Sequence, residues 1–463
     1  MPPTNPAPAR SWVKPWAVAA ATIALLAITF RPAIEGDGVG YYTFLHAAFV
    51  THGFDYRDEY AAAIASHTPL YLPWLTMTGA RGQLTDRFPV GSAVLSAPAY
   101  LLALAIHPSG EPQYGSPFVD AFTLASLFYA LLALGICFRL AEAAVPGRRA
   151  PWVGVLGATF ATPFVFYALA DPSYAHTFSV FCVSAFLYAW WNGPPRTALG
   201  WIGLGALAGV MAMTRWQDAA LVAIVLVDFK QLRWQALLSI PAAIVAFTPQ
   251  LAVDLAQYGS LLPERPPGQA LNPLEGHYVE ALFSSRFGLF VWTPAAALAA
   301  AGCFLIQDRR LKLAALIAFV VEAVVIGSVP DFPGVSFGAR RFLELVPFAA
   351  VGLAALAQRL GPRLGPALVG AACVWNLILV ASYDYVLRGV ADPGYAGLLR
   401  AQVSALGYVP RLFVKGTVLR DLVLARDFAG GLALLVLEAF CVIAAFLIVS
   451  RLRPSRRFAE RAD

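Results

Sequence analysis

Long apolar stretches separated by short charged breaks recur along the whole chain. The strongest run roughly over residues 15–33, 119–138, 151–170, 173–191, 198–213, 216–229, 234–253, 283–305, 312–329, 342–358, 365–383 and 429–450. Each approaches the length an α-helix needs to cross a bilayer, so the pattern predicts an all-α polytopic transmembrane bundle of about twelve spans. Residues 88–107 are also apolar, and their assignment decides the topology.

If 88–107 do not cross and the N-terminus lies inside, every short connection on the inner side is basic. Those connections hold Arg10 and Lys14; Arg139, Arg148 and Arg149; Arg196; Lys230 and Arg233; Arg309, Arg310 and Lys312; Arg359 and Arg363; and five arginines after Ser450. The short outer turns 170–173 and 214–216 hold only Arg215. This is the inward bias of positive charge expected of membrane proteins, and a crossing at 88–107 would invert it. Residues 88–107 are therefore expected to form an interfacial or re-entrant helix, and Tyr41–Thr51 a second helix lying on the membrane. Backbone at that depth must be covered by protein or water, which predicts a cavity beneath the first outer loop. The chain reads as one integral membrane domain over 1–463, in the cytoplasmic membrane, with both termini cytoplasmic. The larger outer pieces are 34–118, 254–282, 330–341 and 384–428, so the working face is extracytoplasmic.

Composition agrees with this picture. The 463 residues are 59% hydrophobic and 13% charged, with a mean hydropathy of +0.66, which excludes a soluble globular protein of this size. The net charge of +6 follows from the topology and does not indicate nucleic-acid binding. The first apolar run continues into Arg31-Pro32 and Glu35 and lacks a small-residue cleavage site, so it reads as an anchor. Cys137, Cys182, Cys303, Cys373 and Cys441 all lie in apolar runs, as buried thiols do, without metal-type spacing. No glycine-rich phosphate loop is present, so no cofactor is expected. An enzyme built this way takes its activated substrate from the lipid phase.

The candidate chemistry sits at the outer face. Asp37 lies in Glu35-Gly-Asp37-Gly-Val-Gly-Tyr41-Tyr42, just past the first span, where a carboxylate must face water or a partner. Asp55, Asp58 and Glu59 follow in a run that also suits a solvated loop. Asp171-Pro-Ser-Tyr174-Ala-His176 forms a tight turn between two spans. His176 there is either a structural hydrogen-bonding group or a substrate contact. Arg215 and Asp218 lie three apart on one helical face, either as a local ion pair or as a phosphate clamp. Arg286 opens a span behind two serines. Arg340 and Arg341 open another, with Glu344 one turn inside. Single arginines at an interface commonly snorkel. Adjacent arginines on the outer side, beside an acid, suit bidentate phosphate binding. Glu322 and Glu438 are unusual inside spans and are assigned no role.

Several stretches carry a resemblance: Asp171-Pro-Ser-Tyr-Ala-His176, Arg215-Trp-Gln-Asp218, Phe287-Gly-Leu-Phe-Val-Trp-Thr-Pro294 and Phe337-Gly-Ala-Arg-Arg-Phe342. With the first-loop acid Asp37 and the overall layout, the chain resembles the membrane-embedded GT-C glycosyltransferases. Lipid A aminoarabinose transferases and protein O-mannosyltransferases are the better-known members. It differs from them at Tyr41-Tyr42-Thr43-Phe44, where those relatives carry an Arg-Tyr or Glu-Arg pair, and in having no large C-terminal soluble domain. The resemblance implies an inverting transfer of a sugar from a polyprenyl-phosphate donor to a lipid, glycan or protein acceptor, outside the membrane. Asp37 would be the catalytic base. On the reading of the residues above, Arg340, Arg341, Arg286, Asp171, Tyr174, His176, Arg215 and Asp218 would bind substrate; the chemistry allows a divalent metal, but nothing in the sequence supports one. The alternative is a transporter or lipid flippase, which would show paired halves with broken helices near the midplane.

Overall fold

Helix accounts for 75% of the chain, as bilayer-length apolar runs require when every backbone group must be satisfied internally. The computed structural model describes residues 14–70, 75, 77–79, 81–192, 197–261, 270–424 and 426–452. The expected inner cations Arg10, Arg196, Arg453, Arg456, Arg457 and Arg461 lie outside these residues. α1 (Pro15–Thr29) begins with proline in its first turn, where a missing N–H costs no hydrogen bond. The first loop then holds α2 (Asp37–His46), α3 (Arg57–Ala65) and α4 (Gly91–Ile106). The bundle follows with α5 (Phe118–Ala144), α6 (Ala150–Phe160), α7 (His176–Trp191), α8 (Ala198–Thr214) and α9 (Ser239–Tyr258). Next come α10 (Tyr278–Phe283), α11 (Leu289–Trp292), α12 (Ala295–Leu305), α13 (Arg309–Gly327) and α14 (Val346–Ser382). α15 (Gly394–Ala405) and α16 (Thr417–Val423) lie in the late outer loop, and α17 (Phe428–Ser450) closes the chain.

α5 is the axis of the molecule. Its Ile136 and Leu140, Phe118 and Phe122, Ala133 and Cys137, and Leu124 and Leu127 enter four different apolar clusters. By contrast, only 6% of the apolar window in Trp234–Tyr258 is buried, so that helix presents its side chains outward, as a lipid-facing helix does. Among the described residues, four helical stretches are long and apolar enough to cross a membrane: Phe118–Ala144, Trp234–Tyr258, Arg340–Leu387 and Phe428–Ser450.

Not every expected span is one regular helix. Residues 283–305 begin at the end of α10 and divide into α11 and α12, because Thr293 leaves helical geometry (φ −137°, ψ 69°) ahead of Pro294. Residues 216–229 wind as a tighter 3-10-type run, Trp216–Gln231. Residues 342–358 and 365–383 stay separate, as expected, as the two arms of α14, between which the chain turns at Gly361 (φ 87°) before Pro362. A Cβ on Gly157 would meet Val369 at 2.6 Å and Leu353 at 2.9 Å. In one straight helix those two residues would stand roughly 24 Å apart, so the arms run antiparallel.

The basic short connections gather at one end. Arg310 pairs with Asp228, donates to the Trp191 carbonyl at 3.3 Å and stacks over Trp190 at 4.6 Å. Arg139 donates to the Leu452 carbonyl at 2.5 Å. At the opposite end the end of α1 and the late loop meet: the Gly416 N–H donates to the Ile28 carbonyl at 2.9 Å and the Thr417 N–H to the Phe30 carbonyl at 3.0 Å. α4 starts against the Thr214 backbone, 2.5 Å from a Cβ placed on Gly91. The turn after α4 comes back to the first loop, where Gly110 faces Val50 and His46. With 16 residues, α4 spans about 24 Å, shorter than a bilayer core. Cysteine labelling from outside is therefore expected to reach both flanks of α4 in a protein stripped of its native thiols. Positions 86 and 113 are buried, so exposed Arg81 and Glu111 are the residues to replace. Labelling of position 111 from the cytoplasmic side alone would place α4 across the membrane.

Candidate active site

The site is built around the start of α2. Gly36 adopts φ +55°, and a Cβ on it would lie 2.5 Å from the Tyr174 hydroxyl. A Cβ on Gly38 would fall 2.0 Å from Ser173 Oγ. The glycines flanking Asp37 thus allow the first turn of α2 to rest on the 171–174 turn, where any side chain would push it away. Asp171 is buried and accepts from Ser173 Oγ at 3.1 Å. Burial, followed by the neighbouring Glu35, pushes the Asp171 carboxyl well above the usual carboxylate range.

Across 303 residues of sequence, Arg340 Nη1 donates to Asp37 Oδ2 at 2.7 Å. The guanidinium also lies 5.1 Å above the Tyr174 ring. Gly334 (φ +61°) makes room for it, since a Cβ there would meet Arg340 Nη2 at 2.9 Å. The Asp37 side chain keeps 19% of its surface exposed and Arg340 9%, so the pair is sheltered but reachable.

A second layer lies behind this pair. Arg215 donates to His176 Nδ1. A guanidinium can only donate, which fixes Nδ1 as an acceptor and the imidazole as neutral. His176 also packs on Tyr167 at 4.5 Å and stacks on Tyr174 at 6.0 Å. Arg215 Nη1 pairs with Glu344 Oε1 at 2.9 Å. The Ser179 hydroxyl lies 2.6 Å from Asp218 Oδ2 and 3.0 Å from Glu344 Oε1. It has one proton to donate, so the second contact is favourable only when one of the two acids is protonated. Glu322, fully buried and with no hydrogen-bond partner on either oxygen among the described residues, adds a third acid to this layer.

The structure thus brings Asp37, Asp171, Tyr174, His176, Arg215 and Arg340 together at one end of the bundle. Asp218 lies behind them, fully buried against Ser179. The local Arg215–Asp218 ion pair suggested by helical spacing gives way to Arg215–Glu344. Arg341 turns aside to Asp331 at 3.4 Å, and its carbonyl accepts from Gln217 at 3.0 Å. Arg286 stands with Ser284, Ser285 and Asp392 beside the late loop. No direct contact joins it to Asp37 or Arg340 among the described residues. Of the first-loop acids, Glu59 is buried against His46 at 3.0 Å and Asp55 pairs with exposed Arg57 at 2.9 Å.

Three residues near the centre had no role in the sequence reading. The Tyr41 hydroxyl is pushed up by burial, against the fields of Arg215, Arg340 and Arg87. The fields of Arg87 and Asp86 reach this region. The signal available was Asp86-Arg87 placed directly ahead of the apolar 88–107 stretch.

No protein-family model and no curated protein matches the chain. Among solved structures, ArnT from Cupriavidus metallidurans is similar in its apo state, with a TM-score of 0.52 and 16% identity over 94% of this chain and 75% of that one. The same protein bound to undecaprenyl phosphate is similar with a TM-score of 0.53 and 17% identity, at the same coverage. The chain has an ArnT-like membrane fold. Within that fold, the Asp37–Arg340 pair closes a contact between the first loop and the start of α14.

Burial also pushes the Asp86 carboxyl up to about 7, and this has a measurable consequence. Its native form holds a proton that the unfolded chain releases near pH 4. Native stability is therefore expected to fall as pH rises from about 4 to about 7, and to level above that. Asp86→Asn should flatten this part of the curve in detergent-solubilised protein. An unchanged slope would show that Asp86 is ionised throughout.

Proposed function

We propose that the chain is a membrane glycosyltransferase that takes a sugar from a polyprenyl-phosphate-linked donor and transfers it to an acceptor on the extracytoplasmic side. The observation that carries this reading is the sheltered Asp37–Arg340 pair at 2.7 Å. It sits in a fold also seen in ArnT bound to undecaprenyl phosphate. A transfer of this kind needs a base for the acceptor hydroxyl and a cation for the departing phosphate, held side by side.

In the proposed reaction Asp37 accepts the proton of the acceptor hydroxyl. The acceptor oxygen attacks the anomeric carbon as the bond from that carbon to the phosphate oxygen breaks, with inversion. The leaving polyprenyl phosphate takes the bonding electron pair, and Arg340 neutralises the charge that grows on it. Arg340 pairs with Asp37 in the resting state. Its remaining N–H donors and the Tyr174 face give it a fixed orientation toward an incoming phosphate. Arg215, held by Glu344 and His176, adds positive charge behind the same centre, and Arg341 adds it at the rim. The Tyr174 ring beneath Arg340 supplies an aromatic face suited to a sugar ring, backed by the buried Tyr167.

The test is turnover by purified protein in nanodiscs supplied with lipid extract containing polyprenyl-phosphate sugars. Release of polyprenyl phosphate, dependent on an added hydroxyl acceptor, is the expected result. Movement of the intact lipid-linked sugar across the bilayer without cleavage would replace this reading with a flippase.

A further inference from the structure

At the basic end, far from Asp37 in the fold, α6 and the two arms of α14 enclose a cavity of about 370 Å³. Its origin is geometric. α6 and the first arm of α14 touch backbone to backbone: a Cβ on Gly154 would lie 2.2 Å from the Ala350 carbonyl. Toward the basic end the contact opens, because Gly361 (φ 87°) and Pro362 turn the chain into the second arm. The turn ahead of α6 roofs the gap, with Gly147 (φ +106°) seated against Gln358, whose Oε1 would meet a Cβ there at 2.8 Å. Arg148 and Arg149 stand on the wall, together with the first residue of α6. Val153, Ala357 and Pro366 complete a mostly apolar lining.

The cavity therefore has two guanidinium groups at its rim, a helix start that favours an anion, and an apolar interior. Leu156 and Leu364, 50% and 59% exposed, continue the apolar surface on α6 and on the second arm of α14. A water-soluble anion would use the rim and leave the apolar walls wet. A lipid with an anionic headgroup matches both parts. Basic pockets between transmembrane helices on the cytoplasmic side hold such headgroups.

We propose that this cavity is a binding site for one anionic glycerophospholipid of the cytoplasmic leaflet. The phosphate rests on Arg148 and Arg149, and an acyl chain runs along α6 and the second arm of α14. The site is separate from the proposed reaction centre and does not depend on the transferase reading.

Native mass spectrometry of the delipidated, detergent-solubilised full chain, titrated with phosphatidylglycerol or phosphatidylcholine, tests this. One phosphatidylglycerol is expected to bind in preference to phosphatidylcholine, by roughly tenfold given two arginines at the headgroup. Arg148→Gln with Arg149→Gln should abolish that preference. Val153→Phe, which fills the cavity and leaves both arginines, should weaken binding as well. Arg233→Gln with Arg309→Gln, two exposed arginines of the same end outside the cavity, should leave binding unchanged. Millimolar inorganic phosphate should not displace the lipid. Equal loss in both arginine pairs would mean diffuse attraction to the basic end. Retention by the Arg148/Arg149 variant, or displacement by phosphate, would likewise overturn the proposal.

Discussion

Asp37→Asn is expected to lower sugar transfer by two to four orders of magnitude, the usual contribution of a positioned general base, and to leave the bundle folded. Asparagine keeps the shape of the side chain, and its carbonyl can still accept from Arg340 Nη1 across the 2.7 Å contact. What it loses is the charge and the ability to take a proton. The structural cost is modest. Asp37 is the first residue of α2, where a carboxylate at a helix start contributes about 0.3–1 kcal/mol. Leaving Arg340 without its counter-ion adds to this, reduced by solvent because the Asp37 side chain is 19% exposed. Turnover and thermal unfolding should be measured on the same purified sample. Near-normal turnover by a folded Asp37→Asn protein would remove this residue from the chemistry. Loss of turnover together with loss of folding would make it structural.

Arg340→Lys should cost about two orders of magnitude in kcat, with a smaller change in KM, although the charge is retained. An ammonium can pair with Asp37 or with a phosphate oxygen. It cannot present a planar fork to both while sitting over the Tyr174 ring, as the guanidinium does at 5.1 Å. The loss falls on kcat because negative charge on the leaving phosphate grows in the transition state. Arg341→Lys is the matched comparison. Its guanidinium is engaged by Asp331 at 3.4 Å, so a change of only a few fold is expected from general surface ion-pair energetics. Glu344→Gln separates the two layers: Glu344 holds Arg215 at 2.9 Å and not Arg340. Its effect should therefore couple to Arg215 substitutions and add independently to Arg340→Lys. Normal donor turnover by Arg340→Lys would move the phosphate site elsewhere, with Arg215 and His176 as the next residues to test.

The sequence by itself determined that the chain is an all-α membrane protein, that its short basic connections gather at one end, and that its acids and late arginines are candidates for the other. These properties are local. Apolar length and flanking charge act on each segment as it meets the bilayer, and neither depends on which helices become neighbours. The Gly-Asp-Gly run was legible as special for the same reason. Where the helices break was less legible. Residues 283–305 read as one span, yet Thr293-Pro294 divides it, whereas the break expected between 358 and 365 does fall at Gly361.

Only the tertiary structure decided the pairing. Helical spacing offered Arg215 to Asp218, and it placed Glu344 one turn from Arg340 and Arg341. The folded chain instead joins Arg215 to Glu344 and Arg340 to Asp37. The physical reason is burial. A charge enclosed in a bundle needs the counter-charge that packing brings within hydrogen-bond distance, and that partner can come from anywhere in the sequence. Spacing rules see one helix at a time, whereas the Asp37–Arg340 contact exists because glycines let α2 settle onto the 171–174 turn beside the start of α14.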